Sequence, residues 1–409
     1  MIARCQRLAT FTEEPGRTTR TFLSPPMRDC HREIAEWIRP LGAEIKIDAV
    51  GNLRARYAGA DPMAPRLLVG SHLDTVPDAG PFDGVLGVVL GLALLELLQG
   101  ERLPFGIEVI GFSEEEGVRF GMPFIGSGAL VGTIDEEMLE KQDRRGVSVR
   151  AAIEDFGLNP SDIPDARLTD DILGYIEFHI EQGPVLEELG LPLAAVETIA
   201  GQTRLEVIFV GRANHAGTTP MRLRRDAIAG AAEWITAVER EGNRVSGLVA
   251  TIGAIHAKPG AANVIPGEAH LTLDLRHAVN EVRLTAVDTL IRSGEEIAAH
   301  RGLSLRHSIL MNQPSVLMNS QFVGYVGEAI RRTGCKPHRM ASGAGHDAMV
   351  LAEKIPTAMM FLRTPGGISH HPEETVNIED VEKALEAGMN LLKLIASSPA
   401  LKQQRVQRA

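Results

Sequence analysis

The 409-residue chain predicts an α/β fold: a large layered domain with a mixed central sheet flanked by helices, interrupted by a smaller ferredoxin-like α+β domain. Three observations predict it. At ~150 residues per domain, the length favours two or three domains over one. Toward both ends, short apolar runs alternate with segments of helical periodicity, the rhythm of a layered α/β domain. Between them, residues 200–310 follow the order β-α-β-β-α-β of the split βαβ unit. The boundaries expected are 1–198 and 314–409 for the two parts of the larger domain and 199–313 for the insertion.

The elements follow in order. Residues 28–40 place Ile34, Trp37, Ile38 and Leu41 on one helical face and stop at Pro40-Leu41-Gly42. Strand-like runs at 44–48 and 52–57 flank Gly51, and 66–70 is a compact apolar run suited to the middle of a sheet. The apolar stretch 85–98 is too short for a bilayer, which needs ~20 residues, and reads as a buried core helix. Its Gly84, Gly87 and Gly91 do not have dinucleotide-loop spacing, and close helix packing explains them better. A strand at 107–112, helical segments near 135–157 and a strand at 175–180 complete the first part. In the insertion, strands at 203–210, 247–256, 268–277 and 304–310 accompany helices at 223–241 and 281–300. A strand at 357–362 and a helix at 381–395 follow, and residues 401–409 read as a polar, frayed tail.

Composition excludes several classes. A net charge of −11 leaves no basic excess to displace counterions, so no nucleic-acid partner is expected. No membrane span or signal peptide is visible. Three widely spaced cysteines without CxxC argue against a disulfide framework and point to a reducing cytoplasm. Thirteen histidines beside three cysteines direct attention to imidazole chemistry.

Four places carry metal-type ligands, with Asp83 grouped with His72 and Asp74 in the first. His72 and Asp74 follow the strand at 66–70, and His-x-Asp pairs an imidazole with a carboxylate that can fix its tautomer; His72 could equally be structural. Asp83, in a Pro/Gly loop, could be a ligand or merely the N-cap of the apolar helix. Glu114, Glu115 and Glu116 repel one another unless something positive is near, so they form either a solvated acidic loop or a cation site with one glutamate kept as a base. Alternation sets Tyr175, Glu177, His179 and Glu181 on the polar face of a half-buried strand, where His179 is a ligand or mere surface. Last, Gly366-Gly-Ile-Ser-His370-His371 is a Gly-rich loop with one histidine to spare. Imidazole and carboxylate without thiolate suit Zn²⁺, Mn²⁺ or Co²⁺. The set matches a two-metal hydrolytic site in which a bridging water is acidified and a carboxylate takes its proton. The absence of GxSxG and HExxH disfavours a serine hydrolase or a thermolysin-like zincin.

These residues also resemble a family. Gly70-Ser-His-Leu-Asp-Thr-Val76, Phe82-Asp-Gly84, Glu114-Glu-Glu-Gly-Val-Arg-Phe120, His179-Ile-Glu-Gln-Gly-Pro184, Asn214-His-Ala-Gly-Thr-Thr-Pro220, Asn263-Val-Ile-Pro-Gly267, Ser342-Gly-Ala-Gly-His-Asp-Ala348 and Gly367-Ile-Ser-His370 occur in order. The set is similar to the ureidase branch (allantoate amidohydrolases, N-carbamoyl-L-amino-acid hydrolases and β-ureidopropionases) of the dinuclear metallopeptidases of aminoacylase and carboxypeptidase type. The resemblance implies two divalent metal ions per subunit, one held by His72, Asp83 and His179 and the other by Asp83, Glu116 and His370. It implies Glu115 as general base, Asp74 as orienter of the metal shell and His215 as oxyanion donor. Gln182, His215, Asn263, Arg276, Gly345 and His346 become substrate contacts, although His215, Asn263 and Arg276 also read as turn or surface residues and His346 as a buried structural histidine.

The resemblance further implies hydrolysis of the ureido C–N bond of a small carboxylate, with release of ammonia and carbon dioxide. Arg17-Thr-Thr-Arg-Thr-Phe-Leu-Ser-Pro25, Asp78-Ala-Gly80 and Ile199-Ala-Gly-Gln-Thr-Arg-Leu205 place allantoate first and N-carbamoyl-L-amino acids or β-ureidopropionate second. It implies a homodimer paired through 199–313, acting as a dimerisation and lid domain. The alternatives are a plain aminopeptidase or aminoacylase, and a metal-free small-molecule binder on the same scaffold.

Overall fold

The computed structural model describes residues 1–398, so the expected tail at 401–409 lies outside the described residues. The chain divides into two compact units, Met1–Glu197 with the chain from Leu317 onward, and Thr198–Val316. The strands are β1 (Glu44–Ile47), β2 (Leu53–Tyr57), β3 (Arg66–His72), β4 (Gly106–Phe112), β5 (Ile172–Ile180), β6 (Leu193–Ile199), β7 (Gly201–Val210), β8 (Asn214–His215), β9 (Val249–Lys258), β10 (Val264–Ile265), β11 (Glu268–His277), β12 (Ser304–Gln313), β13 (Val316–Leu317), β14 (Arg339–Ser342) and β15 (Thr357–Leu362).

The larger unit is built on a nine-stranded mixed sheet of order β1-β2-β4-β3-β5-β15-β6-β13, with β14 paired to β6. Its middle strands β4, β3, β5 and β15 run parallel, so their carboxyl ends share one edge of the sheet. Open α/β sheets bind ligands at that edge. The helix Val85–Leu97 is apolar on every side, and its residues from Val85 to Leu95 are all buried. A Cβ on Gly87 would run into the Phe178 carbonyl, and one on Gly91 would lie 2.9 Å from Val109 Cγ1. Both glycines therefore serve close packing of this helix on the sheet. Glu96, at its solvent end, pairs with Arg4 at 2.7 Å.

The helical segments expected near 135–157 are two short helices, with Asp135 capping one at Met138 N and Ser148 a second at Ala151 N. Local chemistry corrects two other expectations. The helix expected from 223 begins after Asp226, whose carboxylate accepts from Ile228 N and Ala229 N. β5 is not half-buried: Glu177 and His179 are as buried as the apolar residues between them. Period-2 alternation separates two faces, but whether the polar one meets water depends on what covers it. Here the segment Asp347–Leu351 packs on it, with Ala348 N donating to Glu177 Oε2 at 2.8 Å.

The smaller unit runs β7, helix Ala227–Arg244, β9, β11, helix Asn280–His300, β12. Its sheet has the order β12-β7-β11-β9, antiparallel throughout, which is the ferredoxin-like topology. β7 alternates buried and partly exposed residues, and Leu205, Val207 and Phe209 pack with Trp234 and Leu290 into one core. Among the described residues no helix is long and apolar enough to cross a membrane.

Candidate active site and metal centre

His72 ends β3, and Glu114–Glu116 begin two residues beyond β4. His179 is the penultimate residue of β5, and His370 sits in the loop after β15. Four parallel strands thus deliver these groups to one edge. Asp83 comes from the turn entering the Val85–Leu97 helix, whose N-cap is Gly84 with no side-chain cap bond. A capping role for Asp83 is therefore excluded, and its carboxylate faces the histidines instead. Gly84 has φ +66°, and a Cβ there would strike the His72 ring, so only glycine lets the turn pass this imidazole.

The ring tautomers follow from their partners. His72 Nδ1 lies 2.9 Å from the Asp74 carbonyl, and His179 Nδ1 lies 2.9 Å from the Ile180 carbonyl. A carbonyl only accepts, so both Nδ1 atoms carry hydrogen and, in the neutral rings, both Nε2 atoms are bare. Those two Nε2 atoms stand 3.4 Å apart, and Asp83 Oδ1 lies 3.4 Å from His179 Nε2. Asp83 Oδ2 is 3.1 Å from His370 Nε2, which is 3.5 Å from Glu116 Oε1. Ligand nitrogens about 2.0–2.1 Å from one tetrahedral ion stand about 3.4 Å apart, so the His72–His179 and His179–Asp83 spacings match those of donors around one metal. Two trios share Asp83: the ligand atoms of His72, Asp83 and His179 lie within 4.8 Å of one another, as do those of Asp83, Glu116 and His370.

The electrostatics make the same demand. Burial pushes Glu115 well above the carboxylate range, with Glu116, Asp347 and Asp74 adding to it against the pull of His72. Burial and the Asp83 charge raise Glu116 to about 7. Burial draws His72 down, but its hydrogen bond to Asp74 and the charges of Glu115, Asp74 and Asp83 outweigh it and hold the ring well above its ordinary value. His370 is raised to about 9, chiefly by its hydrogen bond to Asp83. Burial lowers His179 to about 4. Carboxylates that climb and imidazoles that hold protons mark a buried anionic cluster in want of positive charge.

Asp74 organises the acidic loop. Its carboxylate accepts from Glu115 N at 3.0 and 3.1 Å and from Glu116 N at 3.0 Å. Gln182, at φ +58°, donates from Nε2 to both Asp83 oxygens at 3.1 and 3.2 Å, which places it against the carboxylate shared by both trios. His346 is buried edge-on to His179 with ring centroids 4.5 Å apart, and its Nε2 meets Ser342 Oγ at 2.8 Å. Gly345 lies in the loop just before it. In the smaller unit, β8 pairs with β10, and Ala216 N donates to the Asn263 carbonyl at 2.9 Å. His215 Nδ1 accepts from Gly217 N at 3.1 Å, so the neutral ring carries its hydrogen on Nε2. Arg276, on β11, donates from Nε to Asp274 Oδ1 at 2.9 Å.

Sequence reading passed over Glu374, which is 4% exposed and accepts from Phe82 N and Asp83 N at 2.8 and 3.0 Å. The only signal was a second glutamate after His370-His371-Pro372. Glu177, expected only as part of the polar face of β5, is buried beside the site and accepts from Ser71 Oγ at 3.1 Å.

Residues 68–394 match the sequence profile of peptidase family M20/M25/M40. The chain belongs to this family. It is 39% identical to the N-carbamoyl-L-amino acid amidohydrolase of Geobacillus stearothermophilus, covering 92% of this chain and 93% of that protein. It is 36% identical to a probable allantoate deiminase of rice, Oryza sativa subsp. japonica, over 96% of this chain and 87% of the rice protein. The crystal structure of a hydantoinase/carbamoylase family amidase from Burkholderia multivorans superimposes with a TM-score of 0.91 at 31% identity, covering 97% of both chains. These relatives are named as hydrolases of non-peptide carbon–nitrogen bonds, and this chain, a member of the same hydrolase family, has a candidate metal site.

Proposed function

We propose that this hydrolase uses two divalent ions, Zn²⁺, Mn²⁺ or Co²⁺, to cleave the ureido C–N bond of a small carboxylate, allantoate before N-carbamoyl-L-amino acids or β-ureidopropionate. The observation that carries the reading is the pair of buried imidazoles whose Nε2 atoms face each other at 3.4 Å beside the Asp83 carboxylate. His72, Asp83 and His179 would hold one ion, and Asp83, Glu116 and His370 the other. When bound, such ions acidify a water and polarise the carbonyl under attack. Glu115 accepts the water proton and passes it to the leaving nitrogen, in keeping with a carboxylate whose pKa is raised by burial and neighbouring charge. Asp74 holds the backbone beneath Glu115 and Glu116, and Gln182 orients Asp83.

His215 suits an oxyanion donor, because its bond from Gly217 N leaves Nε2–H to donate. Arg276 suits the substrate carboxylate, with Asp274 presetting its guanidinium, and Asn263, Gly345 and His346 are proposed as further substrate contacts. Homodimerisation through 199–313, with that domain acting as a lid, and a cytoplasmic location belong to the same reading.

The test is ammonia release across a panel of allantoate and N-carbamoyl amino acids, after chelation and after restoring each metal singly. Metal-dependent ammonia release from one class is expected. Release of amino acid from a peptide or an acetylated amino acid, with none from any ureido substrate, would assign the protein to the aminopeptidase side of the family instead.

A further inference from the structure

Two loops distant in sequence bring Asp83 and His370 within 3.1 Å of each other, and one buried side chain ties those loops together. Glu374 Oε1 accepts from Phe82 N at 2.8 Å and from Asp83 N at 3.0 Å, on the loop that carries Asp83. Its Oε2 accepts from Ser369 Oγ at 3.1 Å, next to His370. Ser369 Oγ in turn receives Gln182 Nε2 at 3.3 Å, and that same amide donates to Asp83. The chain from Glu374 through Ser369 and Gln182 to Asp83 closes a ring around the carboxylate shared by both trios. The sequence has made room for it. Gly80 has no positive φ, yet a Cβ there would lie 2.6 Å from Glu374 Oε1 and closer still to its Cβ, so an alanine is obstructed by Glu374 itself.

We propose that Glu374 is a positioning residue for metal binding: it fixes the Asp83 turn and the Ser369–His370 loop in one relative placement, so that Asp83 and His370 present their ligand atoms to the same ion. The inference rests on the reading of Asp83 and His370 as ligands of that ion. Hydrogen-bonding partners behind metal ligands typically change affinity or activity by ~10–100-fold when removed, which sets the expected size.

Chelated wild type, Glu374→Ala, Glu374→Gln, Gly80→Ala and His370→Ala are titrated with Co²⁺ alone, following its visible absorption and, by equilibrium dialysis, the stoichiometry. Glu374→Ala is expected to weaken one of the two Co²⁺ sites by about 10–100-fold and to change its absorption. Gly80→Ala should do the same by displacing the carboxylate while every hydrogen-bonding group remains. Glu374→Gln should restore near wild-type affinity, since its amide oxygen still accepts the two backbone N–H groups and its NH₂ can donate to Ser369. Two wild-type Co²⁺ sites in folded Gly80→Ala or Glu374→Ala would overturn the proposal, and Gly80→Ala decides it alone if Glu374→Ala does not fold. Two wild-type sites in His370→Ala would instead overturn the ligand reading beneath it.

Discussion

Asp74→Asn separates two tasks that one residue performs. The His72 tautomer is held by the Asp74 main-chain carbonyl at 2.9 Å, and the substitution leaves that group in place. The carboxylate holds the acidic loop, accepting from Glu115 N and Glu116 N at 3.0–3.1 Å. An asparagine offers one oxygen, and its NH₂ must face a main-chain N–H that also donates. The loss is one hydrogen bond to a charged group, worth ~1.5–3 kcal/mol. At about 1.4 kcal/mol per factor of ten, this predicts a fall in kcat of roughly 10–100-fold if that energy holds Glu115 in its reactive position. Asp74 is 1% exposed, so water cannot replace the bond. Metal content by elemental analysis should stay at the wild-type ratio, with KM little changed. A fully metallated Asp74→Asn enzyme turning over within twofold of wild type would refute the reasoning.

Glu115→Gln should keep its metals and lose ~10²–10⁴-fold in turnover, measured as ammonia release from the best ureido substrate; near-normal turnover would remove Glu115 as the base. Glu108→Ala should cost ~3–5 kcal/mol in urea unfolding, because it strands the buried Arg54 and takes from Arg66 one of its carboxylate partners. A loss below ~1 kcal/mol would mean that the cluster relaxes around the gap. His31 is buried with both ring nitrogens unpartnered, and burial lowers its pKa from 6.5 to about 3. The unfolded chain therefore binds the proton first as pH falls, so the contribution, full above pH 6.5, is lost between 6.5 and about 3. The size is about 4–5 kcal/mol, and His31→Leu should flatten that part of the acid limb in denaturation series at stepped pH. Parallel acid limbs for variant and wild type would contradict the assignment.

The chemistry was most legible where it is written in short, uninterrupted motifs. His72-Leu-Asp74, Glu114-Glu-Glu116 and His370-His371 were each open to a structural or surface reading, and it was their combination that pointed to metal chemistry. Asp83 was ambiguous, since a carboxylate before an apolar helix is the ordinary N-cap; the unused cap bond removes that reading, and its carboxylate stands 3.1–3.4 Å from His370 and His179. Glu374 was barely legible. Its partners Phe82 and Asp83 lie 292 and 291 residues away, and no local pattern encodes a contact that two loops create.

By itself, the sequence determined the alternation of elements, the ferredoxin-like insertion and the inventory of ligand types, because periodicity and turn chemistry act over a few residues. The tertiary structure alone decided burial and pairing. It showed that the polar face of β5 is interior, that His72 and His179 turn their Nε2 atoms toward each other, and that Asp83 belongs to both trios of donors. Those are statements about distance and desolvation, and both depend on which distant segments the parallel strands bring to one edge of the sheet.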